Sequence, residues 1–293
     1  MNDNLYFIEN ETLKIEVSSF GAELQSVYDK KINKELLWQG NDKYWGRRAP
    51  VLFPIVGRLV DDSLRHKGQT YRLTQHGFAR DSEFEMIYQE DNQLEFRLVG
   101  NDETKKKYPF DFELIISFVL LENVLTTNYI VRNTGMGELP FSIGGHPAFN
   151  WPLVDSIDKE SHTIKFQCDD VTQVYQLNNG LIKKNKIPSP VRNKVIELKD
   201  SLFNDDALIF DGIQNRKITY NASDAYSIQL EFNDFPQLGI WTKPGAPFIC
   251  LEPWYGHSSP EAFDEDIRTK PGIILLPEHG ESQMAYSFSF FNK

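Results

Sequence analysis

In the stretch FELIISFVLLENVLTTNYIVRN, Phe112 to Asn133, two runs of ten residues flank Glu122-Asn123. Phe112, Leu114, Ile116, Phe118 and Leu120 recur at every second position, and Leu125, Thr127, Tyr129 and Val131 do the same beyond the break. A period of two puts these side chains on one face of a strand, whereas a helix would need a period of 3.6. Glu122-Asn123 reads as a tight turn, and Asn133-Thr134-Gly135 ends the second run. The segment therefore predicts two long antiparallel strands.

The same alternation extends outward in both directions. Leu13, Ile15 and Val17 precede the hairpin, as do Leu94, Phe96 and Leu98. Tyr226, Ile228, Leu230 and Phe232 follow it, then the apolar run Phe248–Leu251, then Met284, Tyr286, Phe288 and Phe290. The 21 Phe and 12 Tyr against 4 Met suit pleated surfaces. The best short helical candidates are Asp42–Gly46 and Ser201–Ala207, so helix content is expected well below the usual third. No linker, composition shift or repeat divides the chain, which predicts one domain over residues 1–293. So many antiparallel strands in one domain must stack face to face, because an open sheet of that width would curl or expose its edges. The expected fold is all-β, a large antiparallel β-sandwich with few short helices.

Charge narrows the partners. With 31 Lys and Arg against 42 Asp and Glu the chain carries a formal −11, which repels nucleic acid and anionic lipid. Residues 41–80 reverse this, with eight basic residues against three acidic ones, a local +5 that leaves room for one small anion. Cys168 and Cys250 are too few for a disulfide framework and lack paired zinc spacing. The beginning Met1-Asn2-Asp3-Asn4-Leu5-Tyr6 has neither the basic start nor the apolar run of a signal peptide. The expectation is a cytoplasmic protein, monomer or homodimer, with no nucleic-acid or membrane partner.

Three segments look unsuited to plain structure. Phe53-Pro54-Ile55-Val56-Gly57-Arg58 and Gln75-His76-Gly77-Phe78-Ala79-Arg80 set Arg and His beside Gly and Pro turns. Gly144-Gly145-His146-Pro147 holds a histidine on a rigid bend, which suits a side chain that must be aimed. In Phe248-Ile249-Cys250-Leu251-Glu252-Pro253-Trp254 a carboxylate closes an apolar run, where burial would raise its pKa toward that of a useful base. Singly, such residues are usually structural; jointly they suggest a site. The six histidines show no H-x-H or H-x-x-x-H pairing, and there is no P-loop, G-x-G-x-x-G turn or G-x-S-x-G elbow. No cofactor is expected.

Taken in order, Ser19-Phe20-Gly21-Ala22-Glu23-Leu24, Phe53-Pro54, Gly57-Arg58, His76-Gly77-Phe78, Gly145-His146-Pro147 and Cys250-Leu251-Glu252-Pro253 resemble the aldose 1-epimerase (galactose mutarotase-like) family. The form Gln75–Arg80 is closest to its LacX-like and hexose-6-phosphate mutarotase-like branches. The resemblance implies a twisted β-supersandwich and a sugar or sugar phosphate as partner. It makes His146 the general acid and Glu252 the general base, with Arg58 and His76 on sugar oxygens and Arg80 directed at a phosphate. An Asp is implied between the second His and the Glu, at Asp206, with Asp205 and Asp211 competing. Trp241 would supply an aromatic wall. Interconverting α and β anomers needs one proton donor and one acceptor, which these residue types provide without a cofactor. For this His146 should begin protonated, which a neighbouring carboxylate favours. Two other readings stay open: a non-catalytic sugar-binding or sensing protein on the same fold, and a carboxylate-pair glycosidase or lyase using Glu252 with an Asp.

Overall fold

The computed structural model describes residues 5–168 and 171–292, so the beginning Met1–Asn4 read above lies outside it. The stretch that opened the sequence reading forms strands Phe112–Leu121 and Val124–Asn133, paired from Phe112↔Asn133 to Leu121↔Val124 across a two-residue turn. Glu122 in that turn takes a positive φ of 52°. This hairpin is the middle of a nine-stranded antiparallel sheet. On one side it continues through Gln93–Val99 to Glu85–Glu90. On the other it pairs with Glu281–Asn292, then Tyr226–Glu231, Lys217–Ala222, His162–Phe166 and Val195–Glu197.

A six-stranded sheet packs on it. Its path runs Leu208–Asp211, Gln237–Trp241, Phe248–Tyr255, Ile143–Gly145 and Val51–Leu52, with Ala148–Asn150 also pairing to Phe248–Tyr255. The inner faces share one apolar cluster that holds Phe118, Tyr129 and Phe288 from the larger sheet and Phe149, Leu238, Ile240 and Leu251 from the smaller. Phe149 meets Phe288 edge to face at 4.8 Å, as aromatic pairs prefer. The apolar alternations deliver their residues to this cluster from Leu13 to Phe290, whereas in the run Phe248–Leu251 only Ile249 and Leu251 reach it. The fold is thus the all-β sandwich expected. A further four-stranded sheet, Leu5–Glu9 through Lys34–Glu35, completes the main layers.

The helical expectations need correction. Among the described residues one short α-helix occurs, Asp102–Lys105, capped by the Asn101 side chain. Asp42–Gly46 is not helical: Asn41 accepts from the amides of Tyr44 and Trp45 and receives nothing beyond a closed turn, its own amide going back to Trp45 O. The Asn41 and Trp45 backbones pair with each other as an isolated antiparallel bridge, which closes the turn instead of letting it propagate as a helix. Ser201–Ala207 contributes only a 3-10 turn, Asp200–Phe203. No helix among the described residues is long and apolar enough to cross a membrane.

Candidate active site

Side chains of Phe248–Tyr255 alternate between two environments. Ile249 and Leu251 enter the core between the sheets, while Cys250, Glu252 and Trp254 face the opposite side. Glu252 was expected to close a strand that ended at Leu251. The strand instead continues to Tyr255, and Glu252 sits within it, only 1% exposed. Pro253 is tolerated because of where its missing N–H falls. The amide of Leu251 donates to Pro147 O, so the amide position of residue 253 faces the same side. There the neighbouring chain is interrupted between Gly145 and Ala148. His146 occupies that interruption, its own amide held by Pro50 O at 3.1 Å. One break in one ladder therefore accommodates the proline and aims the histidine.

The result is direct contact: His146 Nε2 lies 3.2 Å from Glu252 Oε2. Trp45 stacks on the imidazole at 4.8 Å, and Trp241 meets it edge-on at 5.7 Å. His76 approaches perpendicular to it, also at 5.7 Å. His76 Nδ1 accepts the Gly57 N–H at 3.1 Å, so the neutral ring carries its proton on Nε2. Residues 76 and 77 both have positive φ, 66° and 70°. Gly77 is required there, since a Cβ would fall 2.3 Å from Phe53 O; His76 accepts the strain, as residues at functional sites often do.

These groups line one cavity of about 240 Å³ with Gln75, Arg80, Asp206, Trp254 and Ser258. The volume lies below the roughly 300–1,000 Å³ of drug-sized sites, which suits a single sugar ring rather than a chain. Arg80 Nη2 donates to Gln75 O at 2.6 Å, while the buried Nε has no hydrogen-bond partner. Among the described residues five buried side-chain N or O atoms lack a partner, and four of them belong here: Arg80 Nε, His146 Nδ1, Glu252 Oε2 and Trp254 Nε1. Glu252 Oε2 does lie 3.2 Å from His146 Nε2 and Arg80 Nε 3.7 Å from Asp81 Oδ2, but neither contact completes a hydrogen bond. Incompletely bonded buried polar atoms are costly and rare, and four around one cavity suit a polar ligand.

Burial governs the titration. It pushes the Glu252 carboxyl well above the usual carboxylate range, reinforced by Asp206. It pushes His146 down to about 3, with Arg80 and Arg47 adding repulsion, and holds His76 well below 6.5. The expectation of an imidazolium fixed by its carboxylate is thereby reversed. Desolvation disfavours both charged forms, so burial favours a protonated carboxyl beside a neutral imidazole, one titrating proton for the pair, over two charges. Arg80 is lowered by burial to about 10 and stays cationic at neutral pH.

Of the residues singled out from sequence, the cavity collects His76, Arg80, His146, Asp206, Trp241 and Glu252. It does not collect Arg58. That guanidinium pairs with Asp62 at 2.8 Å and bonds Asn179 O, because an acid four residues on lies within its reach. Only the Arg58 backbone serves the wall, its amide donating to Ser258 Oγ at 3.0 Å. Of the competing acids, Asp205 is bonded by Gln176 and Asp211 by Gln237 and Lys186. Asp206 has a positive φ of 76°, accepts the Ala207 amide N–H at 2.8 Å and lines the cavity. Trp45, Gln75, Trp254 and Ser258 were missed. Trp45 was concealed by the helical reading of its turn, although the flanking Gly40 and Gly46 mark a loop.

Comparison with known proteins agrees with this architecture. The family model described as aldose 1-epimerase matches residues 4–272. The chromosomal protein LacX of Lactococcus lactis subsp. lactis is 30% identical over 97% of this chain and 99% of its own. A galactose mutarotase related enzyme from Lactobacillus acidophilus superposes with a TM-score of 0.94 at 36% identity, over 99% of this chain and 98% of that one. A galactose mutarotase-like protein from Lactobacillus casei gives 0.92 at 30% identity, covering 98% and 100%. With the histidine and the buried glutamate in contact at the floor of a sugar-sized cavity, and a family match over most of its length, the chain belongs to the aldose 1-epimerase family.

Proposed function

We propose that the protein is a cofactor-independent mutarotase that interconverts the α and β anomers of a hexose or hexose 6-phosphate, with Glu252 and His146 as its acid–base pair. The observation that carries this reading is their 3.2 Å contact beneath a cavity lined by unpartnered polar atoms. One group removes the proton from the C1 hydroxyl while the other protonates the ring oxygen. The C1–ring oxygen bond breaks and a free aldehyde forms. Rotation about C1–C2 presents the other carbonyl face, and closure returns both protons in the opposite sense. A pair that holds a single proton has one donor and one acceptor at every stage, so its protonation count suits both directions. Sugar hydroxyls entering the cavity supply polar partners to Glu252 and ease ionisation to carboxylate and imidazolium. His76 Nε2–H is a donor available to sugar oxygens. Arg80 adds a cation that Asp81 partly balances at 3.7 Å, and the paired free and 6-phosphorylated sugars of the assay decide whether that cation selects phosphate.

The test is the return of optical rotation, or of anomeric NMR signals, after dissolving α-glucose, α-galactose and their 6-phosphates. The wild type is expected to exceed buffer on at least one, and Glu252→Gln and His146→Asn each to lose about 10²-fold or more. Calorimetric binding with wild-type rates equal to buffer selects the non-catalytic sugar-binding reading. Release of reducing sugar from oligosaccharides selects glycoside cleavage.

A further inference from the structure

Cys250 has no role in that chemistry, yet it lies two residues from Glu252 on the same face of one strand. The ligand-capable atoms of His146, Cys250 and Glu252 all lie within 4.8 Å of one another, and all three residues are buried. Glu252 Oε2 is unpartnered, and the glutamate is 1% exposed. Thiolate, imidazole and carboxylate are together a zinc-type donor set. With metal–ligand bonds of about 2.0–2.3 Å, the edges of a tetrahedron around zinc are about 3.3–3.8 Å. The His146–Glu252 contact of 3.2 Å is already near one such edge. The 4.8 Å limit on the others means that no separation needs to close by much more than about 1 Å. Two of the three ligands line the cavity, which gives an ion a route in and leaves a fourth position for water.

We propose that His146, Cys250 and Glu252 form an inhibitory site for a thiophilic divalent cation, Zn²⁺ in the first instance, which silences the acid–base pair by ligating both members. Sequence spacing conceals the site because His146, in the break between Ile143–Gly145 and Ala148–Asn150, lies more than a hundred residues from Cys250 on Phe248–Tyr255. On binding, the Cys250 thiol proton and the titrating proton of the Glu252–His146 pair both leave to solvent, so that thiolate, carboxylate and neutral imidazole face the cation, and no redox change is involved. The proposal goes beyond the mutarotase reading, and its first readout does not depend on turnover.

Co²⁺ is titrated into the full-length, metal-stripped protein and followed by absorption. A saturable 1:1 thiolate-to-cobalt charge-transfer band with tetrahedral d–d bands is expected, displaced by Zn²⁺. The band should vanish in Cys250→Ser, persist in Cys168→Ser and weaken more than about tenfold in affinity in Glu252→Gln, since even outer-shell partners of a metal are worth that much. Where the mutarotase assay is active, Zn²⁺ should abolish activity reversibly with a chelator. Cys250→Ser should keep metal-free activity while needing at least about tenfold more Zn²⁺ for inhibition. No charge-transfer band in the wild type overturns the site, irrespective of whether any variant folds. A band that survives Cys250→Ser, or Zn²⁺ inhibition unchanged by it, places the metal elsewhere and also overturns it. A protein that shows the band but no mutarotation keeps this site and loses the catalytic reading.

Discussion

Trp45 packs its ring 4.8 Å from the His146 imidazole, tilted by 30°. A neutral imidazole gains only dispersion from that arrangement, but an imidazolium formed during ring opening also gains attraction from the indole face. Such contacts are worth about 0.5–2 kcal/mol. Trp45→Leu is therefore expected to lower kcat about tenfold with little change in KM, measured by initial-rate polarimetry; an equal loss in KM alone would make Trp45 a sugar platform instead. Arg80 is argued from its buried charge, which Asp81 meets only at 3.7 Å without completing a hydrogen bond. Arg80→Gln should reduce kcat/KM for a hexose 6-phosphate by about 10-fold or more relative to the free hexose, since charged hydrogen bonds contribute about 1.5–3 kcal/mol. Equal losses on both would mean that it reads a neutral oxygen. These residues were unequally legible. His76, His146 and Glu252 stood beside Gly or Pro, where backbone geometry is restricted and a purpose can be inferred. Arg58 stood in the same kind of context and is held by Asp62, because adjacency to a glycine says where a backbone turns but not which acid a long side chain reaches.

At the scale of elements, alternation identified the strands because each is buried on one face only, as in Val124–Asn133 with Leu125, Tyr129 and Val131 inward. It failed at Phe248–Tyr255, where all but the last residue are buried. Both faces there are covered, by the core on one side and the site on the other, so Glu252 carried no periodic signal, and Pro253 concealed the continuation. The loop of His76 makes the dependence of site on backbone testable. Gly77→Ala would drive a methyl against Phe53 O and is expected to cost more than about 2 kcal/mol, with activity lost as His76 shifts. Gly68, in the turn between Ser63–His66 and Gln69–Arg72, also has a positive φ of 76° but has nothing within 4 Å of a Cβ. Gly68→Ala should cost only about 1 kcal/mol and leave activity intact. Chemical denaturation and the anomer assay on the two variants decide it, and equal costs would show that left-handed strain alone, not the packing of the His76 loop, sets the penalty.

For the whole molecule, the formal charge of −11 gives no hint that the site holds groups kept neutral by burial. Their linkage to stability has opposite signs. His76 is depressed in the folded state, so the stability it contributes is complete above about 6.5 and is lost as pH falls toward its folded value. His146, lowered to about 3, acts in the same direction. Glu252 is raised; its contribution is complete below about 4.5 and is lost as pH rises through the folded value. The two effects oppose each other between about 4.5 and 6.5. Below that interval the histidines act alone, and above it the glutamate does. His76→Asn should therefore flatten the acid limb of a Tm-against-pH curve. Glu252→Gln, which keeps the shape of the side chain and cannot ionise, should flatten the limb above about pH 6.5 by up to about 1.4 kcal/mol per pH unit. The slope counts protons without placing them, because a carboxyl beside a neutral imidazole and a carboxylate beside an imidazolium each hold one proton more than the unfolded pair does above about pH 6.5. An alkaline slope left unchanged by Glu252→Gln would mean that the folded pair holds no such proton, and would remove the one-donor, one-acceptor state on which the proposed catalysis depends.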